Sequence, residues 1–185
     1  MLQIESLRQK ILGTSLVLIG LMGAGKTALG KRLAEKLEIN FVDADVEIEA
    51  AAGKSVEDIF SDHGEEHFRQ GEQRVIERLL KSYPQVLATG GGAYMNAQTR
   101  QRICENGISI WLKADLDILM ERVMRRSNRP LLQTDDPESV MKNLIEERYP
   151  IYALADITIE SRNVPHEAMI EDIVTGLETY LKNKT

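Results

Sequence analysis

The feature that most constrains this chain is a glycine-rich segment between an apolar run and a helical pattern. Residues 16–19 read Leu-Val-Leu-Ile and predict a buried strand, and residues 20–27 follow with Gly-Leu-Met-Gly-Ala-Gly-Lys-Thr. This is the pattern G-x-x-x-x-G-K-[ST], placed where a strand ends and a helix begins. Its glycines let backbone N–H groups turn toward one phosphate chain, and the helix N-terminus adds partial positive charge there. The segment therefore predicts a loop that binds nucleotide phosphates.

Two side chains of this loop have predicted roles of their own. Lys26 would reach the β- and γ-phosphates of ATP, and the Thr27 hydroxyl would ligate Mg²⁺. The predicted ATP-binding residues of the segment are Gly23, Ala24, Gly25, Lys26, Thr27 and Ala28. The alternative is a glycine-rich turn that binds nothing, and the four fixed positions with the correct flanks argue against it.

Composition limits the partners and the compartment. The chain has 185 residues, which fits one domain with an adequate core, and its formal net charge is −6. It has no basic stripe for a nucleic-acid backbone, no apolar run long enough to cross a bilayer, and no signal-peptide pattern near its N-terminus. The single cysteine, Cys104, is expected to be a small core residue in a reducing compartment. We therefore expect a cytoplasmic protein that binds neither nucleic acid nor membrane.

Apolar runs and helical periodicities alternate along the chain. Strands are predicted at residues 15–19, 40–42, 86–88, 108–112 and 157–159. Helices are predicted at 26–37, 46–52, 56–62, 65–81, 96–105, 115–125, 138–153 and 165–181, with a polar loop at 127–137. Five strands joined by helical crossovers imply an α/β fold in three layers, with a five-stranded parallel sheet covered on both faces. Residues 1–14 are expected to form a short amphipathic extension.

Ligands of such a sheet bind beyond the carboxyl ends of its strands, and unusual residues follow two of these strands. Asp43 and Asp45 come directly after the second strand, where one carboxylate can hold a metal ion and the other can orient or deprotonate a substrate hydroxyl. The alternative for Asp45 is to cap a helix that begins at residue 46. Three glycines at residues 90–92 follow the third strand, and their bare backbone favours close contact with a ligand over a merely flexible turn.

Arginines on two predicted helices are further candidates. Arg69 and Glu72 are helical neighbours, and Arg69 could clamp an anionic substrate group while Glu72 holds its guanidinium. Exposed pairs of this kind contribute little to stability, and the residues alone favour a solvated surface pair here. Arg148 has the same two interpretations, as a substrate contact or as an ion-pair former within its helix.

A second group of arginines, Arg125, Arg126 and Arg129, flanks the polar loop. A basic lid that closes over ATP would exclude water and stabilise charge on the phosphoryl group in transfer. Arg125 also fits a solvated basic helix end, whereas Arg129 is fixed before Pro130. We therefore predict a mobile lid at about residues 125–137.

Taken in order, these motifs resemble those of the shikimate kinase family, whose members are P-loop kinases of the nucleoside-monophosphate-kinase-like fold. The resemblance runs from about residue 15 to the end of the chain. Its parts are the phosphate loop at 20–27, Asp-Ala-Asp at 43–45, Phe-Arg-x-x-Glu at 68–72, Gly-Gly-Gly at 90–92, Arg-Pro-Leu-Leu at 129–132, and Arg148 before Tyr-Pro-Ile-Tyr at 149–152. The phosphate loop alone indicates only an NTP, and the ordered combination is far more specific. The family often has a hydroxyl residue at the position of Ala44.

This resemblance implies Mg-ATP-dependent transfer of the γ-phosphoryl group to the 3-hydroxyl of shikimate, a step of chorismate and aromatic amino acid biosynthesis. Asp45 is implied to contact the substrate hydroxyls and to act as base. Arg69 and Arg148 are implied to clamp the carboxylate, which reverses the surface-pair interpretation of Arg69. Gly91 and Gly92 are implied to line the ring. The chemistry agrees, because an anionic polyol needs guanidinium forks for its carboxylate and carboxylates for its hydroxyls.

The same resemblance implies the nucleotide side of the site, with ATP as co-substrate and Mg²⁺ as cofactor. The implied roles are Mg²⁺ binding for Asp43 with Thr27, and stabilisation of the phosphoryl group for Lys26 and the lid residue Arg129. Contact with adenine is implied for Arg126, with its neighbour Arg125 as the alternative, and for the segment that begins at Asn163. The implied catalytic residues are Asp45, Lys26 and Arg129.

The implied organisation is an N-terminal extension at 1–14 and a single kinase domain at 15–185, with substrate-binding helices at about 44–80. We expect a monomer. One alternative is a gluconate or nucleoside-monophosphate kinase, which shares the phosphate loop and lid but not the pairing of Phe-Arg-x-x-Glu with three glycines. Another is a non-catalytic nucleotide sensor, which would need the loop but none of Asp45, Arg69 and Arg148.

Overall fold

Short apolar segments form the central sheet, and helices cover both of its faces. The computed structural model describes residues 2–125 and 135–184 of the chain. The strands are β1 (Ser15–Ile19), β2 (Asn40–Asp43), β3 (Gln85–Ala88), β4 (Gly107–Lys113) and β5 (Ile157–Glu160), in the order β2-β3-β1-β4-β5. Every neighbouring pair is parallel, and all residues of β1 and β3 are buried, as expected for strands covered on both sides. The predicted α/β fold with a five-stranded parallel sheet is confirmed.

The helices agree closely with the predicted ranges, except for the first, which was expected only as an amphipathic extension. They are α1 (Leu2–Lys10), α2 (Lys26–Leu37), α3 (Ala44–Ala52), α4 (Val56–Leu79), α5 (Ala97–Asn106), α6 (Leu116–Met124), α7 (Pro137–Tyr152) and α8 (His166–Asn183), with a short 3₁₀ helix at Ala93–Met95. The helices predicted at 56–62 and 65–81 are the two arms of α4, which breaks at Gly64, where φ is 79° and ψ is 174°. None of the helices that the structure describes is long and apolar enough to cross a membrane.

Two details differ from the sequence-based predictions. α3 begins at Ala44, because Asp43 is its N-cap and accepts a hydrogen bond from the Asp45 backbone N–H at 3.1 Å. The interpretation of Asp45 as a helix cap is therefore wrong, and Asp45 lies in the first turn of α3. Cys104 is exposed and does not belong to the core, since its neighbour Ile103 occupies the buried side of α5.

The first helix packs into the core instead of standing apart from it. α1 lies against α2 and buries Leu7, which is 3% exposed, while Ile11 just beyond the helix is completely buried. Arg8 adds an ion pair with Glu38, the C-cap residue of α2. The segment before β1 therefore contributes apolar area to the same core as the sheet.

The strand order brings three functional segments to one edge of the sheet. β1 is the central strand, with β2 and β3 on one side and β4 and β5 on the other. In a parallel sheet of this kind, a crevice opens beyond the carboxyl end of the strand at which the connections change side. Leu18 and Asp43 both pair with Ala88, which keeps the ends of β1, β2 and β3 level. The phosphate loop, Asp43 and residues 90–92 therefore emerge side by side.

Candidate active site

A cleft of about 1200 Å³ opens at this edge, and it is lined by the predicted site residues that the structure describes, apart from the buried Ala24. One end, which we call the phosphate-loop end, is lined by residues 22, 23, 25–29 and 161–164. The other, the glycine-turn end, consists of Asp45, Arg69, Glu72, Arg148 and residues 90–92, which we call the glycine turn. Predicted residues far apart in sequence are thus brought into one cavity.

The phosphate loop has the backbone conformation that its glycines predict. Gly23 and Gly25 have φ angles of 84° and 97°, and α2 begins directly after Gly25. The Lys26 ammonium lies over the loop and donates to the carbonyl oxygens of Gly20 at 2.7 Å and Leu21 at 3.0 Å. The N-terminus of α2 and a lysine folded over the loop make a site suited to a multiply charged anion.

A hydroxyl and a carboxylate lie together at the base of this loop. Oγ1 of Thr27 donates to Oδ2 of Asp43 at 2.9 Å, and Oδ1 of Asp43 accepts from the backbone N–H of Asp45. Mg²⁺ prefers hard oxygen ligands such as these, and phosphate and water oxygens commonly complete its coordination shell. Within residues 2–125 and 135–184, no group of three or more His, Cys, Asp or Glu side chains could hold a metal ion. The hydroxyl of Thr27 and the carboxylate of Asp43 are two oxygen ligands that could take part in binding Mg²⁺.

At the glycine-turn end, two carboxylates meet at Gly90. A Cβ atom on Gly90 would lie 2.8 Å from Oε1 of Glu72 and 2.9 Å from Oδ1 of Asp45, closer than real Cβ atoms approach other heavy atoms. The missing side chain thus leaves the space in which these two carboxylates come together. Oε1 of Glu72 is buried and has no hydrogen-bond partner among the described residues. An orphaned acceptor beside a second carboxylate suits a ligand that brings hydroxyl donors.

Two guanidinium groups face the other glycines of the turn. A Cβ atom on Gly92 would lie 2.5 Å from Cζ of Arg69, and one on Gly91 would lie 3.3 Å from Nη1 of Arg148. Two cations and two anions therefore converge on a stretch of bare backbone. Guanidinium forks match carboxylate geometry, so this end suits an anionic ligand with hydroxyl groups.

The ion pair between Arg69 and Glu72 is not a solvated surface pair. Nη1 of Arg69 donates to Oε2 of Glu72 at 2.7 Å, and Glu72 is only 2% exposed. Burial raises the pKa of Glu72, although Arg69 opposes this shift. Burial alone would lower the pKa of Arg69, but the attraction of Glu72 and Glu65 outweighs it and raises that pKa. The burial of Glu72 contradicts the surface-pair interpretation, and the ion pair fixes the Arg69 guanidinium beside the glycine turn.

Arg148 lies on the buried side of α7 and is 9% exposed. The alternative of an ion pair within its helix is wrong, because the residues three and four positions away are apolar or aromatic, namely Leu144, Ile145, Ile151 and Tyr152. Tyr152 instead donates its hydroxyl hydrogen to the carbonyl of Gly91, and burial raises the pKa of Tyr152 while the charge of Arg148 opposes this shift. Nε of Arg148 is buried without a hydrogen-bond partner among the described residues. Its guanidinium is therefore aligned with the glycine turn and retains unused donor capacity.

The predicted lid is described only at its first residue and its last three. Arg126 and Arg129 lie outside the described residues, so their contacts with nucleotide stay predictions. Arg125, which lines the cleft, is exposed and pairs with Glu121. Asn163 lies in the cleft wall after β5 and donates to Oε2 of Glu121 at 2.6 Å, while its contact with adenine stays a prediction.

Arg122 and Ser161 lie in the same cleft and were missed by the sequence analysis. Arg122 donates to the Gly23 carbonyl at 3.2 Å and to Oγ of Ser161 at 2.8 Å, and that hydroxyl donates to the Ala24 carbonyl at 3.2 Å. No motif marks these residues, because their partners lie 39 to 137 positions away in the chain.

Several shikimate kinases are similar to this chain in sequence or in fold. The family model for shikimate kinase matches residues 22–178. A shikimate kinase from Bradyrhizobium diazoefficiens is 56% identical over 167 residues, which cover 90% of this chain and 81% of that protein. One from Brucella canis is 50% identical over 182 residues, which cover 98% of this chain and 91% of that protein. The solved structure of shikimate kinase from Acinetobacter baumannii in complex with shikimate has a TM-score of 0.87 at 36% identity, covering 96% of this chain and 98% of that chain.

These similarities include both ends of the cleft. The matched segment runs from Met22 in the phosphate loop past Arg148 and into α8. Identity of 50–56% with shikimate kinases over nine tenths or more of the chain contradicts both a gluconate or nucleoside-monophosphate kinase and a non-catalytic nucleotide sensor. The chain belongs to the shikimate kinase family.

Proposed function

We propose that this chain transfers the γ-phosphoryl group of Mg-ATP to the 3-hydroxyl of shikimate, giving shikimate 3-phosphate and ADP. The observation that carries this proposal is the glycine-turn end, where two guanidinium groups and two carboxylates face bare backbone beside a phosphate loop. Shikimate is a ring with one carboxylate and several hydroxyls, so each kind of polar group has a matching partner. The reaction is a step of chorismate and aromatic amino acid biosynthesis.

The carboxylate of shikimate binds between Arg69 and Arg148. These guanidinium groups reach the glycine turn from different helices, α4 and α7. Glu72 holds Arg69 through a hydrogen bond of 2.7 Å, and the surrounding protein buries Arg148. Because both side chains are ordered before the substrate arrives, little side-chain entropy is lost on binding.

Asp45 accepts the proton of the 3-hydroxyl, while Gly91 and Gly92 line the ring. The cap formed by Asp43 fixes the backbone of Asp45 in the first turn of α3, beside the glycine turn. The hydroxyl oxygen attacks the γ-phosphorus, and its proton passes to the carboxylate of Asp45. The bond from the γ-phosphorus to the bridging oxygen breaks, and its electron pair leaves with ADP.

The triphosphate of ATP binds along the phosphate loop. Lys26 exchanges its hydrogen bonds with the carbonyls of Gly20 and Leu21 for bonds to β- and γ-phosphate oxygens. Thr27 and Asp43 would hold Mg²⁺, which would neutralise negative charge on the phosphates. The protein's contribution is therefore positioning and charge stabilisation, with no covalent intermediate on the chain.

The remaining roles rest on the family resemblance. Arg129 stabilises the transferring phosphoryl group from a lid at about residues 125–137, and Arg126 contacts adenine opposite the segment that begins at Asn163. Residues 15–185 act as one kinase domain, in which the helices at about 44–80 bind substrate, and residues 1–14 precede it.

We also infer a cytoplasmic monomer whose partners are small molecules. Its formal net charge of −6 disfavours a nucleic-acid backbone. Its single cysteine, exposed and free, suits a reducing compartment.

The test is ADP release by the purified protein with ATP and Mg²⁺, in separate reactions with shikimate, gluconate, AMP and no acceptor. We expect turnover with shikimate alone, and a product whose phosphorus NMR correlations place the phosphate on O3. Turnover with another acceptor would contradict the proposed carboxylate clamp, and phosphate on a different hydroxyl would contradict the proposed role of Asp45. Absence of turnover with every acceptor would contradict the proposed reaction.

A further inference from the structure

A buried hydroxyl group holds the glycine turn from the side opposite the cleft. Tyr152 lies on α7, is completely buried, and donates its hydroxyl hydrogen to the carbonyl of Gly91. Gly91 lines the cleft, whereas Tyr152 does not, so this contact is made from the interior of the protein. The turn therefore has the ligand cavity on one side and a buried tyrosine on the other.

The carbonyl of Gly91 depends on this tyrosine for its hydrogen bond. The carbonyls of Gly90 and Gly92 each accept from the backbone N–H three residues ahead, at 3.2 Å and 3.1 Å. Among the described residues, the carbonyl of Gly91 between them accepts from no backbone N–H. A carbonyl that faces the protein interior needs a donor, and the hydroxyl of Tyr152 supplies it.

This hydrogen bond sets the direction of one backbone donor of the turn. The carbonyl of Gly91 and the N–H of Gly92 belong to the same peptide unit, and in a trans unit the two point in opposite directions. Because the carbonyl points to Tyr152, the N–H of Gly92 points away from the tyrosine. None of the residues that the structure describes accepts a hydrogen bond from this N–H. It is therefore available to a ligand.

The helix that carries Tyr152 also carries one of the two guanidinium groups of the site. Arg148 and Tyr152 are four positions apart, so both lie on the buried side of α7. A Cβ atom on Gly91 would lie 3.3 Å from Nη1 of Arg148, and the carbonyl of the same glycine accepts from Tyr152. α7 therefore fixes the position of a cationic group relative to the backbone of the turn beside it.

Aromatic packing holds the ring of Tyr152 in place. Its centroid lies 5.9 Å from the ring of Trp111 and 6.4 Å from that of Tyr94, both in edge-to-face contacts. Tyr94 belongs to the 3₁₀ helix that follows the glycine turn, so the ring packs against the segment that its hydroxyl holds. Burial raises the pKa of Tyr152, and the hydroxyl therefore stays protonated as a donor near neutral pH. Since these ring contacts do not involve the hydroxyl, Tyr152→Phe removes one hydrogen bond and keeps the packing.

We propose that Tyr152 is a positioning residue for shikimate, which holds the glycine turn so that the N–H of Gly92 faces the bound substrate. A backbone donor that is fixed before binding loses little conformational entropy when the ligand arrives. Without the hydroxyl of Tyr152, the peptide unit between Gly91 and Gly92 can rotate, and its donor has to be ordered by the substrate. The inference rests on the proposed function for the identity of the substrate.

The test is the Kd for shikimate, measured by isothermal titration calorimetry on the purified full chain. Tyr152→Phe should weaken shikimate binding about fivefold, as expected for the loss of one hydrogen bond that orders the site. The Kd for ADP should remain that of the wild type. In turnover assays the KM for shikimate should rise by the same factor, while the KM for ATP stays unchanged.

The matched control is Tyr149→Phe. Tyr149 lies on the same helix and donates its hydroxyl hydrogen to the carbonyl of Ala114, which does not line the cleft. This variant loses a hydrogen bond of the same kind from a ring that also packs against Trp111. Its melting temperature should fall about as much as that of Tyr152→Phe, but it should bind shikimate like the wild type.

Three results would overturn the inference. Wild-type shikimate affinity in Tyr152→Phe would show that the hydroxyl does not position the turn. Equal weakening in Tyr149→Phe, or equal increases in both KM values of Tyr152→Phe, would assign the effect to general stability. If Tyr152→Phe does not fold, NMR of the wild type labelled with nitrogen-15 glycine decides, since an amide signal of Gly92 that shikimate leaves unchanged would be equally decisive. A wild type that binds no shikimate would contradict the proposed function and the inference with it, whereas the results above overturn the inference alone.

Discussion

The phosphate loop and the glycine turn both place glycines after a strand at the same edge of the sheet, but for different physical reasons. Gly23 and Gly25 have φ angles of 84° and 97°, which residues with a Cβ atom rarely adopt. Gly92 has an ordinary φ of −92°, and its missing side chain instead leaves room for the guanidinium of Arg69. Glycine is needed for its conformation in the first case and for its size in the second.

This difference separates recognition by backbone from recognition by side chains. The phosphate loop offers N–H groups from a few consecutive residues, which suit the phosphates of any nucleotide. The glycine turn instead gathers the charged side chains of Asp45, Arg69, Glu72 and Arg148 from three helices. Substitutions at the two ends should therefore change different kinetic constants, and four variants test this from the largest effect to the smallest.

The largest effect is expected at the phosphate-loop end, from Lys26→Met. This change removes the ammonium group proposed to stabilise the transferring phosphoryl group, and kcat should fall about a thousandfold. The KM for shikimate should stay within twofold, because the glycine turn is untouched. Coupled ADP-release assays measure both constants. The control is Arg102→Met, which removes an exposed guanidinium on α5 that pairs with Glu105. A raised KM for shikimate with a normal kcat would remove the distinction between the two ends.

Asp45→Asn should produce the next largest loss. It keeps the shape of the side chain but removes the proposed base, so kcat should fall about a hundredfold. ADP affinity, measured by calorimetry, should remain that of the wild type, since Asp45 belongs to the glycine-turn end. A wild-type kcat would exclude Asp45 as the base, and weaker ADP binding would show that the two ends are not separate.

Arg69→Met should act on shikimate binding. Loss of a charge-assisted, bidentate contact with a carboxylate should raise the KM for shikimate about thirtyfold and leave the KM for ATP unchanged. Arg78→Met is the matched control, because Arg78 lies on the same helix and makes an exposed pair with Glu47. Steady-state kinetics at varied shikimate concentration separate the two variants, and an unchanged KM in Arg69→Met would exclude the proposed clamp.

Gly92→Ala should give the smallest effect. It tests whether the turn needs glycine at this position because no larger residue fits. Its new methyl group would lie 2.5 Å from Cζ of Arg69, so the guanidinium must shift. We expect the KM for shikimate to rise about fivefold, a loss of roughly 1 kcal/mol. Gly71→Ala is the control, since a Cβ atom there meets nothing within 4 Å, and its kinetics should match the wild type. Equal kinetics for Gly92→Ala and the wild type would show that the turn does not need glycine for space.

The parts of the molecule that sequence analysis predicted well depend on local interactions. The phosphate loop is a run of eight consecutive residues, and β1 is a continuous apolar segment, so neither needs knowledge of the rest of the fold. Helix ends were harder, because the capping residue is set by backbone angles. Asp43, with φ of −107° and ψ of 118°, caps α3 in place of Asp45.

Sequence analysis failed where the environment of a residue depends on segments that are distant in the chain. The pair of Arg69 with Glu72 has the spacing of a surface pair, and only the packed fold shows that Glu72 is buried; the family resemblance, not the spacing, indicated the role of Arg69. Cys104 was assigned to the core but lies one position away from the buried face of α5. Arg122 belongs to no motif, and Gly23, which it contacts, lies 99 positions away.

The burial of α1 bears on how far the chain can be shortened. The family match begins at residue 22, whereas the folded core already includes Leu7 and Ile11. Returning these two side chains to water would remove about 3 to 6 kcal/mol in total, against a typical net stability of about 5 to 15 kcal/mol. A version that begins at Ser15 would keep the residues that line the cleft and lose a large share of its stability, because the cooperative folding unit extends beyond the segment that lines the cleft.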